Sequence, residues 1–188
     1  MNNVEKAKIV GILGSVLILM DVLVHKFFIT KIVGLLVVLL AIKYLANEAK
    51  EPKILKNYSI FAALTIAASV ILILAVMFAV QLVLGVSGLE DILNNPANIV
   101  NLPEFQSAAW LFLSAFLIYS VLYILGSIFM YMSYKKISRL FKVRFFEFTA
   151  IANIVVAVLT LIMIGVLLTP IVAIFQMISF ALLPKTPA

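Results

Sequence analysis

The chain of 188 residues is 65% hydrophobic and only 12% charged, with a formal charge of +6, and its mean hydropathy is +1.25. A soluble domain carries about 25% charged residues and keeps roughly 30% of its unfolded surface in water, so a water-soluble fold is excluded. The chain has no cysteine and one histidine, His25, which excludes disulfides, iron–sulfur clusters, thiolate or multi-histidine metal sites and a bis-histidine haem; no cofactor is expected.

The pattern predicts an all-α fold: a polytopic transmembrane helical bundle of about six membrane helices, four long, with the first and last short. Residues 1–188 form one domain. Ile9–Val24 is the first apolar stretch. Its roughly 16 residues are few for a hydrocarbon layer of about 30 Å, although Lys8 and Lys26 can snorkel from its ends. Lys6 and Lys8 before a short apolar core also resemble a signal peptide. No small-x-small cleavage site follows, so a retained helix is expected. Asp21 and His25 stand four apart on one helical face. Such a pair either relays protons or caps a turn at the interface, and the interfacial position favours the cap.

Phe28–Ala46 is the second span, followed by a basic loop over 47–57. Tyr58–Gly85 is the third; its roughly 28 residues make about 42 Å of helix, so it tilts or projects. The segment 86–107 is expected outside the membrane as an acidic loop with Glu90, Asp91 and Glu104. Within it Ser87 and Glu90 have capping-box spacing, which predicts a short interfacial helix that Asn94-Asn95-Pro96 ends. Trp110–Ser133 is the fourth span, with Trp110 at one end and Tyr131 and Tyr134 at the other as aromatic anchors. A second basic loop covers 134–146, and its Lys135, Lys136, Arg139, Lys142 and Arg144 are candidates for lipid headgroups. Phe146–Ile164 is the fifth span. Gly165 fits a C-terminal cap, Thr169 an N-cap and Pro170 a first helical residue, so a break is expected before Pro170–Leu183, which spans or re-enters.

With the N-terminus in the cytoplasm, twelve of the fourteen lysines and arginines lie inside and only Lys26 and Lys31 outside. The positive-inside rule favours that orientation, in the cell membrane. Basic residues beside spans point to anionic lipid, with no nucleic acid as partner. A weak repeat at an offset of 91 aligns Lys53-Ile54-Leu55 with Arg144-Phe145-Phe146 and Ile60 with Ile151. Duplicated hairpins of that kind occur in transporters.

Polar groups at membrane depth are the functional suspects, because burying them is costly. They are Asp21, His25, Gln81, Asn153 and Gln176. For the three amides, a hydrogen bond between helices is the simpler role, with Gln176 the most suspect as central in the last helix. Tyr119 and Tyr123 stand one turn apart and fit helix packing. No catalytic, metal-binding or phosphate-binding pattern is present, so no enzymatic activity is expected.

Gly11-Ile-Leu-Gly14-Ser15, Ile32-Val33-Gly34, Ala41-Ile-Lys-Tyr-Leu-Ala46 running into Pro52-Lys-Ile-Leu-Lys-Asn57, Tyr134-Lys-Lys-Ile137 and Phe145-Phe146 carry a resemblance across nearly the whole chain. The sequence resembles an archaeal multi-pass integral membrane family known only as a domain of unknown function. The resemblance implies an archaeal source and supplies no activity or functional residues to carry over. The acidic outer loop and the Thr169-Pro170 step are not part of it. The expected role is an accessory or structural subunit in a membrane complex, associated with lipid and with other subunits or further copies of itself. A small transporter or channel with a site near the last helix is the alternative. An enzyme acting on lipid through Asp21, His25 and the basic loop is the third.

Overall fold

The computed structural model describes residues 1–24, 29–94 and 103–184. Six helices follow one another: α1 Asn3–Val24, α2 Ile29–Glu48, α3 Pro52–Asn94, α4 Pro103–Phe141, α5 Phe145–Thr160 and α6 Ile164–Ala181. No strand occurs among the described residues, and four helices are long and apolar enough to cross a membrane. The expected all-α membrane bundle is what forms. A helix is the simplest way for so apolar a chain to bond its own peptide groups where no water competes.

Each helix packs on its neighbours in sequence, and α6 closes on α1. The result is a ring of six. The helices start or stop near one end, which carries most of the basic residues and which α4 overshoots by more than a turn, since Ser133 and Tyr134 already meet Ile54 and Phe146 near the starts of α3 and α5. There Asn3 Nδ2 donates to Glu48 Oε2 at 3.1 Å, Lys8 Nζ to the Leu183 carbonyl at 3.5 Å, and Ser133 Oγ to the Ile54 carbonyl at 2.9 Å. Lys136 Nζ pairs with Glu51 Oε1 at 3.0 Å.

The heights of the helices differ. At 1.5 Å per residue, α3 and α4 with their 43 and 39 residues are about 64 and 58 Å long, whereas α5 with 16 is about 24 Å. The α5–α6 turn therefore lies level with Leu72 and Tyr119, where Met163, Val166 and Leu167 share an apolar groove with them. Beyond that level α3 and α4 continue as a two-helix hairpin.

Three expectations on helix ends are corrected. No separate helix begins at Ser87, because α3 runs unbroken to Asn94. With no proline between Pro52 and Pro96, every peptide N–H in between remains available to the helix ladder, and a cap is needed only where a helix starts. The remainder of the expected outer loop, 95–102, is outside the described residues. The basic segments are also mostly helical: α3 takes over at Pro52 and α4 holds to Phe141. The short turns that remain are closed by left-handed lysines, Lys50 at φ 52° and Lys142 at φ 55°. At the first, Glu51 N–H bonds the Ala46 carbonyl and Lys50 N–H the Asn47 carbonyl, the two bonds of a Schellman ending.

The third correction concerns the break before the last helix. It falls at Leu161–Met163, not at 165–169, and Met163 adopts the left-handed conformation with φ 64°. Pro170 lies inside α6, and Thr169 Oγ1 donates to the Gly165 carbonyl at 3.3 Å. Gly165 is needed for close approach, not for a cap. A Cβ there would strike the Val156 carbonyl and the backbone and hydroxyl of Thr160 on α5.

The core is sealed near the basic end by a run of aromatic rings. Tyr58 and Tyr134 stack at 5.8 Å with 8° between planes. Phe146 meets Tyr134 edge-on at 5.1 Å, and Phe180 meets Phe146 at 5.2 Å. The run ties α3, α4, α5 and α6 together, each pair adding about 0.5–1.5 kcal/mol beyond area burial. Tyr134 is therefore a fully buried core residue and not the interfacial anchor expected; its spacing from Tyr123 puts it on the inner face of α4. Trp110, by contrast, is 70% exposed.

Candidate functional site

The polar groups at the centre come from stripes that helical periodicity turns inward. On α2, Lys31, Leu35, Val38, Ile42 and Leu45 repeat at three and four residues, and all are buried. On α3 the same register holds Tyr58, Ala62, Thr65, Ser69 and Leu72, and on α4 Tyr119, Tyr123, Ser127, Met130 and Tyr134. Where these stripes face α5 and α6 they meet Asn153 and Gln176, 3% and 4% exposed.

Lys31 is the main surprise. Counted in the sequence with the charges on the outer side, at the start of the span Phe28–Ala46, it is the third residue of α2 and only 8% exposed. Its ammonium donates to the Tyr119 hydroxyl at 3.2 Å. It also lies 5.7 and 5.6 Å from the ring centres of Tyr119 and Tyr123, near enough for both ring faces to stabilise the charge. Asp21 approaches from α1. Its Oδ1 accepts the Thr30 hydroxyl at 2.6 Å and the Lys31 N–H at 3.3 Å. The carboxylate thus satisfies an otherwise orphaned donor in the first turn of α2 and complements its dipole. This is the capping role; His25, the expected partner of Asp21, is outside the described residues.

Deeper in the ring, Asn153 joins α5 to α4. Tyr123 Oη donates to its Oδ1 at 2.8 Å, and its Nδ2 donates to Ser127 Oγ at 2.8 Å. Ser127 passes the bond on to the Tyr123 carbonyl at 2.8 Å. Asn153 is the helix tie anticipated for it. Gln176 behaves differently. Its Nε2 is buried without a hydrogen-bond partner, as are Thr65 Oγ1, Tyr58 Oη and Tyr134 Oη. Leaving such groups unmatched costs about 1–3 kcal/mol each.

Between these groups is a cavity of about 30 Å³. All six helices line it: Ile18 from α1, Lys31 from α2, Thr65 from α3, Tyr123 from α4, Asn153 from α5 and Gln176 with Thr169 from α6 are among its walls. Roughly 10–15 Å³ suffices for one water, so the space holds one or two waters or one ion of similar size. No carboxylate lines it. Below it the polar line continues to the stacked Tyr58 and Tyr134. From Tyr119 to Tyr134 the line covers 15 residues of α4, about 22 Å along the bundle axis.

The other expected site residues are elsewhere. Gln81 is exposed on the outer half of α3, away from the cavity. Of the basic cluster, Lys136 is engaged by Glu51, and Lys135 donates to the Tyr131 hydroxyl at 3.0 Å. Arg139, Lys142 and Arg144 are exposed around the α4–α5 turn. The hydrogen bond from Lys136 holds the Glu51 carboxyl below its usual 4.5. No group of three or more metal-ligating side chains occurs among the described residues.

A closed ring of apolar helices around a small polar centre defines a polytopic α-helical membrane protein. Within that class, a family profile described as "Protein of unknown function (DUF996)" matches residues 30–174. The chain belongs to that family. No curated protein and no solved structure matches it.

Proposed function

We propose that this protein is a small membrane transporter or channel whose solute site is the central cavity, with the basic end in the cytoplasm and the bundle in the cell membrane. The observation that carries this reading is the convergence of all six helices on one polar cavity at the midpoint of a polar line. A bundle needing only mechanical cohesion has no reason to leave Thr65 Oγ1 and Gln176 Nε2 unmatched in its centre. An intramembrane lysine facing a cavity is the usual mark of a solute or ion path. The basic residues flanking that end of the ring support the orientation.

Purified protein in liposomes should move a small polar solute, and Gln176→Leu should slow that flux. Absence of flux across a broad panel of ions and metabolites, in vesicles shown to contain folded protein, would refute the proposal. The accessory-subunit reading has one specific support. Gln81 is an exposed amide among exposed apolar neighbours on α3, and an amide facing lipid is better satisfied by another helix. If that reading holds, Gln81→Leu weakens co-purification of a partner or a second copy and leaves flux unchanged.

A further inference from the structure

Above the α5–α6 turn, one side of the α3–α4 hairpin carries a long apolar notch. We infer that this notch binds one acyl tail of a lipid from the leaflet away from the basic end. Its upper part, about 520 Å³, is lined by valine, alanine and phenylalanine alone. Val76, Ala79 and Val80 on α3, and Phe105, Ala109 and Phe112 on α4, stand three, four or seven residues apart, so each set shares one helical face. The lower part, about 410 Å³, continues from Phe112 to Leu72 and Tyr119 and ends on Met163, Val166 and Leu167 at the start of α6. The notch shares no lining residue with the central cavity, so it is independent of any flux through that cavity.

Chemistry, height and length choose the occupant. Among the described residues, Tyr119 is the one polar side chain lining the notch, and its hydroxyl is engaged by Lys31. At the foot, Met163 N–H bonds the Thr160 carbonyl and Val166 N–H the Met163 carbonyl. A polar solute would therefore give up water and gain no partner. Neither α3 between Lys56 and Glu90 nor α4 between Glu104 and Lys135 carries a charge, so the hairpin stays apolar well above the turn. A membrane-crossing helix, from a partner or a second copy, would run into the start of α6 if laid in this notch. A lipid tail stops at mid-bilayer and meets no such obstacle. From Phe105 to Tyr119 the notch follows 14 residues of α4, about 21 Å, and one tail reaches about 15 Å, half of the hydrocarbon layer.

The experiment is fluorescence quenching by phosphatidylcholine brominated along its tails, which quenches an indole only on contact. Trp110 is the chain's single tryptophan; it is 70% exposed and lines neither part of the notch, so it reports bulk contact. Trp110→Phe combined with Phe112→Trp moves the fluorophore to the junction of the two parts. The brominated lipid is added stepwise to full-length protein in dodecyl maltoside micelles. The introduced indole should lose most of its emission, saturably, at a lipid content that barely affects Trp110 in the unchanged chain. Ala79→Leu with Ala109→Leu fills the notch and should abolish that early loss. Each variant is first shown to keep the wild-type melting profile; if Phe112→Trp fails that check, Val80→Trp on the facing helix replaces it. Quenching that runs in parallel for the notch and Trp110 reporters would overturn the inference. So would an unquenched indole in the notch: blue emission would mean that a protein segment or a second copy fills it, and red emission that water does.

Discussion

Gly14 on α1 and Gly34 on α2 let two backbones touch, and one added methyl tests whether that contact matters. A Cβ on Gly34 would lie 2.7 Å from Ile18 Cγ1, 2.8 Å from the Gly14 carbonyl and 2.9 Å from the Ile18 nitrogen. Two of those neighbours are backbone, so the helices themselves must part. Overpacking of this kind costs about 1–3 kcal/mol. Alanine also raises helix propensity by about 1 kcal/mol over glycine, which obscures the cost in a single variant. Gly126 supplies the control. A Cβ there would meet the edge of the Phe61 ring at 3.3 Å and the Phe61 carbonyl at 3.5 Å, and a slight turn of the ring accommodates it. Gly126→Ala therefore gains the propensity with little clash, and subtracting it from Gly34→Ala cancels that term. The difference between the two variants should be about 1–3 kcal/mol against Gly34→Ala. Unfolding in mixed micelles of increasing sodium dodecyl sulfate measures it. Equal stability of the two variants would show that α1 and α2 are not in the close contact described.

Asn153→Leu should destabilise the bundle by about 1–3 kcal/mol, since it removes two interhelical bonds and strands the Tyr123 hydroxyl. The loss should shrink when Tyr123→Phe is already present, and additive losses would argue against the direct bond. Glu51 gives a pH signature. Its folded carboxyl is held below 4.5 by the Lys136 hydrogen bond, so its contribution is complete above that value and fades as pH falls through the lower, folded pKa. Lys136→Met should flatten that acid limb of the melting temperature, and an unchanged limb would mean that the pair is not formed in solution.

Much of the fold could be read from hydropathy. Phe28–Ala46 became Ile29–Glu48, and Trp110–Ser133 lies within Pro103–Phe141. Apolar runs report where lipid surrounds a helix, but not where the helix ends, because hydrogen bonding continues past the membrane edge unless a proline or left-handed residue interrupts it. That is why α3 outran its predicted limit and why Met163, with no glycine or proline signal, hid the last break. The burial of Lys31 went unread because its charge was weighed and its register was not. Leu35, Val38 and Ile42 at four, seven and eleven residues on were the signal that its side chain faces the core. Gln176 and Asn153 were visible as rare polar letters. Thr65, Tyr58 and Tyr134 were not, since threonine and tyrosine are ordinary in helices and only the convergence of six segments gives them a common centre.

The unequal heights of the helices mean that surrounding lipid meets a wall that is tall along one side and low along the other. Acyl chains beside the α5–α6 pair have only about 24 Å of helix to match, below the roughly 30 Å of an undisturbed layer, so the protein leans or the membrane pinches there. Leu161, Ile162 and Met163 at the top of that pair are 45%, 62% and 48% exposed, and their N–H groups bond to Val158, Leu159 and Thr160 carbonyls, so the summit is greasy and asks nothing of water. Lipid length thereby becomes a mechanical input to the packing of α6, the helix that carries Gln176.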